Sequence, residues 1–155
     1  MAFEREVSAA IAHWAPVFRV PINAAIVHGI IEKESVNGRY TRTSERGGQT
    51  SRGPMMVLDS TALSLGASDP STLEDPATGI WYGVKYLGSL LKRFGGDLSR
   101  SVSAYNTGPN ASFLNQAYVN DVFAFAQRYS AIALPAALAL FVLGWFALQR
   151  RPRPT

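Results

Sequence analysis

The sequence contains no cysteine and only two histidines, His13 and His28. Without cysteine, disulfides, thiolate metal sites and a thiol nucleophile are all excluded. The two histidines stand apart in the chain, and neither belongs to a spacing with carboxylates that would bind zinc. We therefore expect no metal site and no cofactor.

A strong excess of one charge is also lacking over most of the chain. The first 130 residues hold all 11 acidic side chains and 12 of the 15 basic ones, and the other three follow at Arg150, Arg151 and Arg153. No stripe of basic residues with interleaved aromatic residues is present. The charge pattern therefore gives little support for a nucleic-acid partner, and we expect none.

No segment alternates apolar and polar residues over a length that would predict a strand. Apolar residues recur instead at helical spacing, and proline or glycine separates the segments. The predicted helices cover residues 3–15, 21–35, 59–65, 76–94, 97–106 and 116–129. Residues 36–53 are predicted to be a long, polar and basic loop. The pattern thus predicts an all-α domain over residues 1–129.

The second predicted helix ends with a carboxylate in an unusual position. Ile22, Ile26 and Ile30 form one apolar stripe, and Glu34 is the next position in that series. A carboxyl group at the solvent end of an apolar wall keeps its proton to higher pH, as a general acid requires. The alternative is a helix-end glutamate paired with an arginine.

Four blocks, in a fixed order, carry a resemblance to a known family. They are Glu34-Ser35, then Gly53-Pro54-Met55-Met56 with Ser60-Thr61-Ala62, then Tyr86-Leu87 with Phe94-Gly95-Gly96-Asp97 and Ala104-Tyr105-Asn106-Thr107-Gly108-Pro109, then Tyr118-Val119. Together the blocks resemble the soluble-type (SLT) lytic transglycosylase domain, in the goose-lysozyme-like branch of the lysozyme superfamily. The resemblance covers about residues 20–125 and implies a lysozyme-like α-helical fold.

The resemblance also implies an activity and catalytic residues. Members of this family cleave the β-1,4 bond between N-acetylmuramic acid (MurNAc) and N-acetylglucosamine (GlcNAc) in peptidoglycan, leaving 1,6-anhydro-MurNAc. By resemblance, Glu34 is the acid and then the base, the Tyr105 hydroxyl lies near it, and Asn106 orients the substrate. The structural alternatives are a core tyrosine at position 105 and a helix C-cap at position 106.

Five further residues are expected to bind the glycan strand by the same resemblance, namely Ser35, Gly53, Met55, Met56 and Tyr118. Met56 stands where the family usually has glutamine, so it offers contact but no hydrogen bond. Tyr118 is suited to stack on a sugar ring. Ser35 has the structural alternative of capping its helix.

The end of the chain has a different character. Residues 131–148 are uncharged and almost wholly apolar, a length at the lower limit for crossing a bilayer. We predict a transmembrane helix over 130–149 and a basic tail over 150–155, with a core helix of the enzyme domain as the alternative. The N-terminus has early acidic residues and no apolar stretch, so we expect no conventional secretion.

These observations predict a membrane-anchored peptidoglycan lytic transglycosylase. Its expected location is a bacterial inner membrane or a phage virion membrane, with the catalytic domain facing the peptidoglycan and other virion or envelope proteins as partners. Two alternatives are a hydrolysing muramidase of the same fold, with an acid such as Glu45 directing water, and a non-catalytic peptidoglycan-binding structural subunit.

Overall fold

A computed structural model of the protein describes residues 2–130. This part of the chain is mostly helical. Its helices are α1 (Glu4–Phe18), α2 (Ala24–Ser35), α3 (Asp59–Ser64), α4 (Pro76–Arg93) and α5 (Leu98–Thr107), and residues 116–130 are helical as α6. Two short 3₁₀ helices lie at Arg46–Gly48 and Pro70–Glu74.

The longest of these helices, α4, runs through the core. Asp75 caps its first turn through a hydrogen bond from the Thr78 N–H to Oδ2 at 2.9 Å, and Pro76 occupies the first turn, where no intrahelical donor is needed. Ile80, Val84 and Leu87 are wholly buried on one face of α4. Burial of side chains of this size stabilises the fold by about 1.5–3 kcal/mol each.

Two predicted helix boundaries differ from the structure. Helix α1 continues through Pro16 to Phe18, because proline removes only one backbone hydrogen bond of the helix. The last helical turn ends at Arg19, whose N–H lies 3.2 Å from the Pro16 carbonyl oxygen. Helix α2 begins at Ala24 instead of near Pro21, because the Asn23 side chain accepts a hydrogen bond from the Ala25 N–H at 2.8 Å.

The prediction of a purely all-α body is wrong in the region of the polar loop. The structure has a three-stranded antiparallel sheet there, with β1 (Arg42–Ser44), β2 (Thr50–Arg52) and β3 (Val57–Leu58), and β2 in the middle. Ser44 pairs with Thr50 next to the β1–β2 turn. Strands of two or three residues are too short to show an alternating pattern, so sequence periodicity does not predict them.

The predicted transmembrane helix and basic tail lie outside the described residues. Within residues 2–130, none of the helices is long and apolar enough to cross a membrane.

Candidate active site

A cleft of about 550 Å³ lies between the end of α2, the small sheet, the start of α3 and the end of α5. Carboxylates, amides, hydroxyls and an apolar surface all contribute to its lining. The lining residues are Glu34, Glu45, Gln49, Ser51, Met56, Val57, Leu58, Thr61, Tyr86, Tyr105, Asn106, Thr107, Gly108 and Pro109. Residues that are far apart in the sequence therefore meet at one concave surface.

Glu34 is half-buried in the last turn of α2 and borders this cleft. The Tyr118 hydroxyl, on α6, donates a hydrogen bond to Glu34 Oε1. Burial raises the pKa of Glu34 above its ordinary value of 4.5, and the nearby Glu45 carboxylate raises the pKa further. The hydrogen bond from Tyr118 and the charge of Lys33 lower the pKa, but burial is the largest effect.

Helices α2 and α6 approach each other closely enough to bring these two side chains together. A Cβ atom at Gly29 of α2 would lie 2.5 Å from the Val122 carbonyl oxygen of α6, so only glycine fits there. The Lys33 ammonium also pairs with Asp121 on α6, with Nζ 2.6 Å from Oδ2. The geometry at Glu34 thus depends on the packing of α2 against α6.

The structure places the two tyrosines differently from the expectation. Tyr118 is 5% exposed and does not line the cleft, so it has no free face to stack on a sugar ring. Tyr105 does line the cleft, but its hydroxyl donates to the Met55 carbonyl oxygen at 2.9 Å. The tyrosine that contacts Glu34 is Tyr118, and Tyr105 instead holds the main chain of the Met55 segment.

Tyr105 nevertheless shares the electrostatic environment of Glu34. Burial raises the pKa of Tyr105 well above its ordinary value, and the charges of Glu34 and Tyr86 raise the pKa further. The rings of Tyr86 and Tyr105 lie 5.1 Å apart, and both residues line the cleft. The two rings therefore form one aromatic wall of the cleft.

Asn106 lies near the C-terminal end of α5 and faces the cleft. Its Oδ1 accepts a hydrogen bond from Asn115 Nδ2 at 2.9 Å. Within residues 2–130 its own Nδ2 group makes no hydrogen bond, so the orientation of the amide leaves a donor for a ligand. This placement is compatible with the expected role in orienting a substrate.

Three of the expected substrate-binding residues lie behind the cleft. Ser35, Gly53 and Met55 are buried and are absent from its lining. The Ser35 hydroxyl lies 2.7 Å from the Pro54 carbonyl oxygen and accepts the Gly38 N–H at 2.8 Å. Ser35 thus joins the end of α2 to the following segments, and the expectation of direct sugar contact at these three positions is corrected.

The backbone explains why glycine is needed at position 53. Gly53 has a positive φ of 77°, and a Cβ atom there would lie 2.3 Å from the Leu73 carbonyl oxygen. The turn that follows brings Met56, with φ 45°, to the cleft. Met56, Val57 and Leu58 give the cleft an apolar surface, and Met56 is the one expected substrate-binding residue of the Gly53–Met56 segment that lines it.

The β1–β2 hairpin contributes residues that the sequence did not single out as substrate contacts. Gln49 and Ser51 line the cleft beside Glu45, the acid that the hydrolytic alternative requires. Arg39 and Arg42, two of the loop arginines, do not line it. The cleft surface on this side is acidic and amide-bearing instead of basic.

An ion-pair network fixes the base of this hairpin. The Arg52 side chain is 14% exposed, and its Nε lies 2.7 Å from Asp59 Oδ1. The same guanidinium also pairs with Glu74 in the second 3₁₀ helix. One arginine therefore connects β2 to α3 and to the segment before α4.

Within residues 2–130, no group of three histidine or carboxylate side chains is arranged to hold a metal ion. The polar groups of the cleft are carboxylates, amides and hydroxyls, which suit a neutral, hydroxyl-rich ligand.

Comparison with known proteins gives two matches. A family model described as "Transglycosylase SLT domain" matches residues 19–122. The solved structure of an inactive mutant of the lytic transglycosylase Slt from Pseudomonas aeruginosa is similar in fold, with a TM-score of 0.64 at 18% sequence identity. That match covers 85% of this chain and 25% of the other chain, so this chain spans about a quarter of its length. The likeness confirms a lysozyme-like fold, which is mostly helical and not all-α as predicted.

Proposed function

The chain belongs to the transglycosylase SLT domain family, and from this membership we propose that it is a peptidoglycan lytic transglycosylase. The proposed reaction is cleavage of the β-1,4 bond between MurNAc and GlcNAc to leave 1,6-anhydro-MurNAc. The observation that carries the proposal is Glu34, a half-buried carboxyl group with a raised pKa that faces the cleft. Such a group retains a proton for a poor leaving group.

The reaction requires one residue to act twice. The Glu34 carboxyl group gives its proton to the glycosidic oxygen as the bond from that oxygen to C1 of MurNAc breaks. The resulting carboxylate then takes the proton of the C6 hydroxyl, and the C6 oxygen forms the new bond to C1. Glu34 ends in its protonated form, and no water is consumed.

The neighbouring side chains suit this cycle. The Tyr118 hydroxyl donates to Glu34 Oε1 and stabilises the carboxylate that forms after proton transfer. Tyr105 positions the Met55–Met56 segment through the Met55 carbonyl oxygen. Asn106 presents its amide donor to the bound glycan. We therefore assign proton transfer to Glu34, positioning to Tyr118 and Tyr105, and substrate orientation to Asn106.

Mass spectrometry of digested peptidoglycan tests the proposal. The wild-type protein is expected to release fragments that end in anhydro-MurNAc. Glu34→Gln keeps the size and hydrogen-bonding shape of the side chain but cannot exchange a proton, so we expect a loss of activity of about 10²–10⁴-fold. Undiminished release of anhydro products by this variant would refute the assignment, whereas glycan binding without cleavage by the wild type would indicate a structural subunit.

A second candidate is a hydrolysing muramidase, and the position of Glu45 favours it. Glu45 lines the same cleft as Glu34, and its charge acts on the pKa of Glu34. A second carboxylate on the opposite side of a glycosidic bond can direct a water molecule. Release of fragments with reducing MurNAc ends by the wild type would support this hydrolytic reaction in place of the anhydro-forming one. Glu45→Gln should then lose that release.

We also propose that the enzyme is anchored to a membrane by residues 131–148, in a bacterial envelope or a phage virion. The support is in the sequence, where the uncharged run is followed by Arg150, Arg151 and Arg153. Membrane fractionation of the full chain and of a chain truncated after residue 130 is the direct test. Recovery of the full chain in the soluble fraction would overturn the proposal, and protease digestion of intact cells or particles would report the exposed side.

A further inference from the structure

Gln49 occupies a fixed position on the sheet side of the cleft. It directly precedes β2, the central strand of the sheet, and its carbonyl oxygen accepts the Glu45 N–H at 2.8 Å. At the other end of the strand, Arg52 anchors β2 to Asp59. The backbone that carries Gln49 is thus held at both ends of the strand, while its side chain lines the cleft.

The side chain of Gln49 has hydrogen-bonding capacity that no neighbour uses. A primary amide offers two N–H donors and a carbonyl acceptor. Among the residues described, the Gln49 side chain makes no hydrogen bond, whereas the oxygen of the other cleft amide, Asn106, already accepts from Asn115. Within this part of the chain, Gln49 is therefore a lining amide whose two N–H donors are both free for a ligand, whereas Asn106 is already tied to Asn115.

An apolar surface also lines the same cleft. Met56, Val57 and Leu58 line it together with Gln49, and Leu58 is 36% exposed. These side chains offer no hydrogen bond, but they can cover a methyl group. The cleft thus combines a hydrogen-bond donor with an apolar surface, and these complement the carbonyl oxygen and the methyl group of an N-acetyl substituent.

We propose that Gln49 is a specificity-determining residue that recognises the 2-acetamido group of a sugar bound in the cleft. The Gln49 Nε2 donates to the acetamido carbonyl oxygen, and the acetamido methyl group lies on the apolar surface of Met56, Val57 and Leu58. This assignment rests on the proposed function, since it takes the glycan strand of peptidoglycan as the ligand.

Binding of two sugars that differ only in acetylation tests the proposal. Calorimetric titration of tri-N-acetylchitotriose and of fully deacetylated chitotriose is carried out on the full chain carrying Glu34→Gln, which prevents turnover. Adding Gln49→Ala should weaken binding of the acetylated trimer by up to about tenfold, the effect of one lost hydrogen bond. Binding of the deacetylated trimer should not change, because it lacks the group that Gln49 contacts.

Two further variants sharpen the result. Gln127→Ala removes an exposed glutamine from α6 outside the cleft lining, and it should leave the binding of both trimers unchanged. Gln49→Glu retains the shape and an acceptor but loses the donors, so it should weaken binding of the acetylated trimer as well. The proposal would be overturned if Gln49→Ala weakened the binding of both trimers equally or weakened the binding of neither. It would also be overturned if the parent protein did not bind the acetylated trimer.

Product analysis separates this proposal from the proposed function. If the wild type releases anhydro-MurNAc fragments but Gln49→Ala does not change acetyl selectivity, only the role of Gln49 is refuted. If selectivity depends on Gln49 but no anhydro fragments are released, the sugar-binding role stands and the proposed reaction fails.

Discussion

At the scale of single residues, the protonation of Glu34 is set by two neighbours that act in opposite directions. Tyr118 donates to the charged carboxylate and lowers its pKa, whereas the Glu45 charge raises it. Burial exceeds both effects and keeps the pKa raised. The side chain can therefore hold a proton before bond cleavage and, stabilised by Tyr118, act as a base afterwards.

This balance predicts opposite shifts in the pH dependence of activity. Activity requires protonated Glu34, so it falls as pH rises through the pKa of that group. Tyr118→Phe removes the hydrogen bond to the Glu34 carboxylate and so raises the pKa of Glu34. The alkaline limb of the profile should therefore move to higher pH. Glu45→Gln removes a repelling charge and should move the limb to lower pH. The measurement is kcat/KM against pH on soluble glycan strands.

Glu32→Gln provides a matched control for these shifts. Glu32 lies two residues before Glu34 on α2, but it lines a separate cavity with His28 and Tyr129. Its replacement should leave the alkaline limb where it is. Shifts of Tyr118→Phe and Glu45→Gln in the same direction would contradict the assignment of the limb to Glu34.

At the scale of secondary-structure elements, the β1–β2 hairpin forms a wall of the cleft that depends on a few anchors. Its outer strand, β1, is exposed along its whole length, so little apolar burial holds it. The contacts of Arg52 with Asp59 and Glu74 connect the hairpin to the helical body. The position of Glu45 and Gln49 therefore depends on the pairing of Arg52, at the end of the same hairpin, with two carboxylates of the helical body.

Arg52→Ala tests this dependence. The variant leaves two partly buried carboxylates without a partner, and we expect the free energy of unfolding to fall by about 2 kcal/mol. Because the hairpin loses its anchor, KM for glycan strands should rise more than kcat falls. Urea unfolding and steady-state kinetics measure the two effects.

Lys33→Ala is the matched control at the same scale. Lys33 forms one ion pair with Asp121 in which both side chains are more than a third exposed, so its loss should change stability by less than about 1 kcal/mol. An unchanged KM for glycan strands in Arg52→Ala would show that strand pairing alone positions the cleft wall.

At the scale of the whole molecule, a buried histidine connects stability to pH. His28 lies on α2 with its ring stacked on Tyr129 of α6, the ring centroids being 4.0 Å apart. Its buried Nε2 has no hydrogen-bond partner within residues 2–130. Burial lowers the pKa of His28 below its ordinary value of 6.5, an effect that the charge of Glu4 partly opposes.

The sign of the resulting pH dependence follows from linkage. Below pH 6.5 the unfolded chain binds a proton at His28 before the folded protein does, so stability falls as pH decreases toward the folded-state pKa. His28→Phe keeps an aromatic ring beside Tyr129 and removes the titration. We expect urea unfolding at about pH 7.5 and about pH 5.5 to show a smaller loss of stability in this variant than in the wild type.

Other groups do not mimic this difference. The pKa values of Asp69 and Asp75 are lowered by hydrogen bonds from Ser71 and Thr78, so they titrate at more acidic pH. The raised pKa of Glu34 acts in the opposite direction, because the folded protein binds that proton first. Glu34 is common to both proteins, so their difference isolates His28, and an unchanged pH dependence in His28→Phe would contradict its role.

The helical body and the enzyme family could be predicted from local sequence patterns. The apolar spacing in α4 and the caps at Asp75 and Asp97 are local properties, and the structure has helices where they predict them. The ordered motif blocks identified the lytic transglycosylase class, which the family match over residues 19–122 confirms. Glu34 was recognisable because a carboxylate that continues an apolar stripe conflicts with its local pattern.

Which side chains meet at the cleft follows from the packing of the folded chain. The sequence could not distinguish Tyr105 from Tyr118 as the partner of Glu34, because that contact depends on how closely α6 approaches α2 at Gly29. It also could not reveal that Gln49 lines the cleft, since the strands of the sheet are too short to produce a periodic pattern. Side-chain pairing across long sequence separations follows from packing and from strand register, and neither is encoded in any single segment.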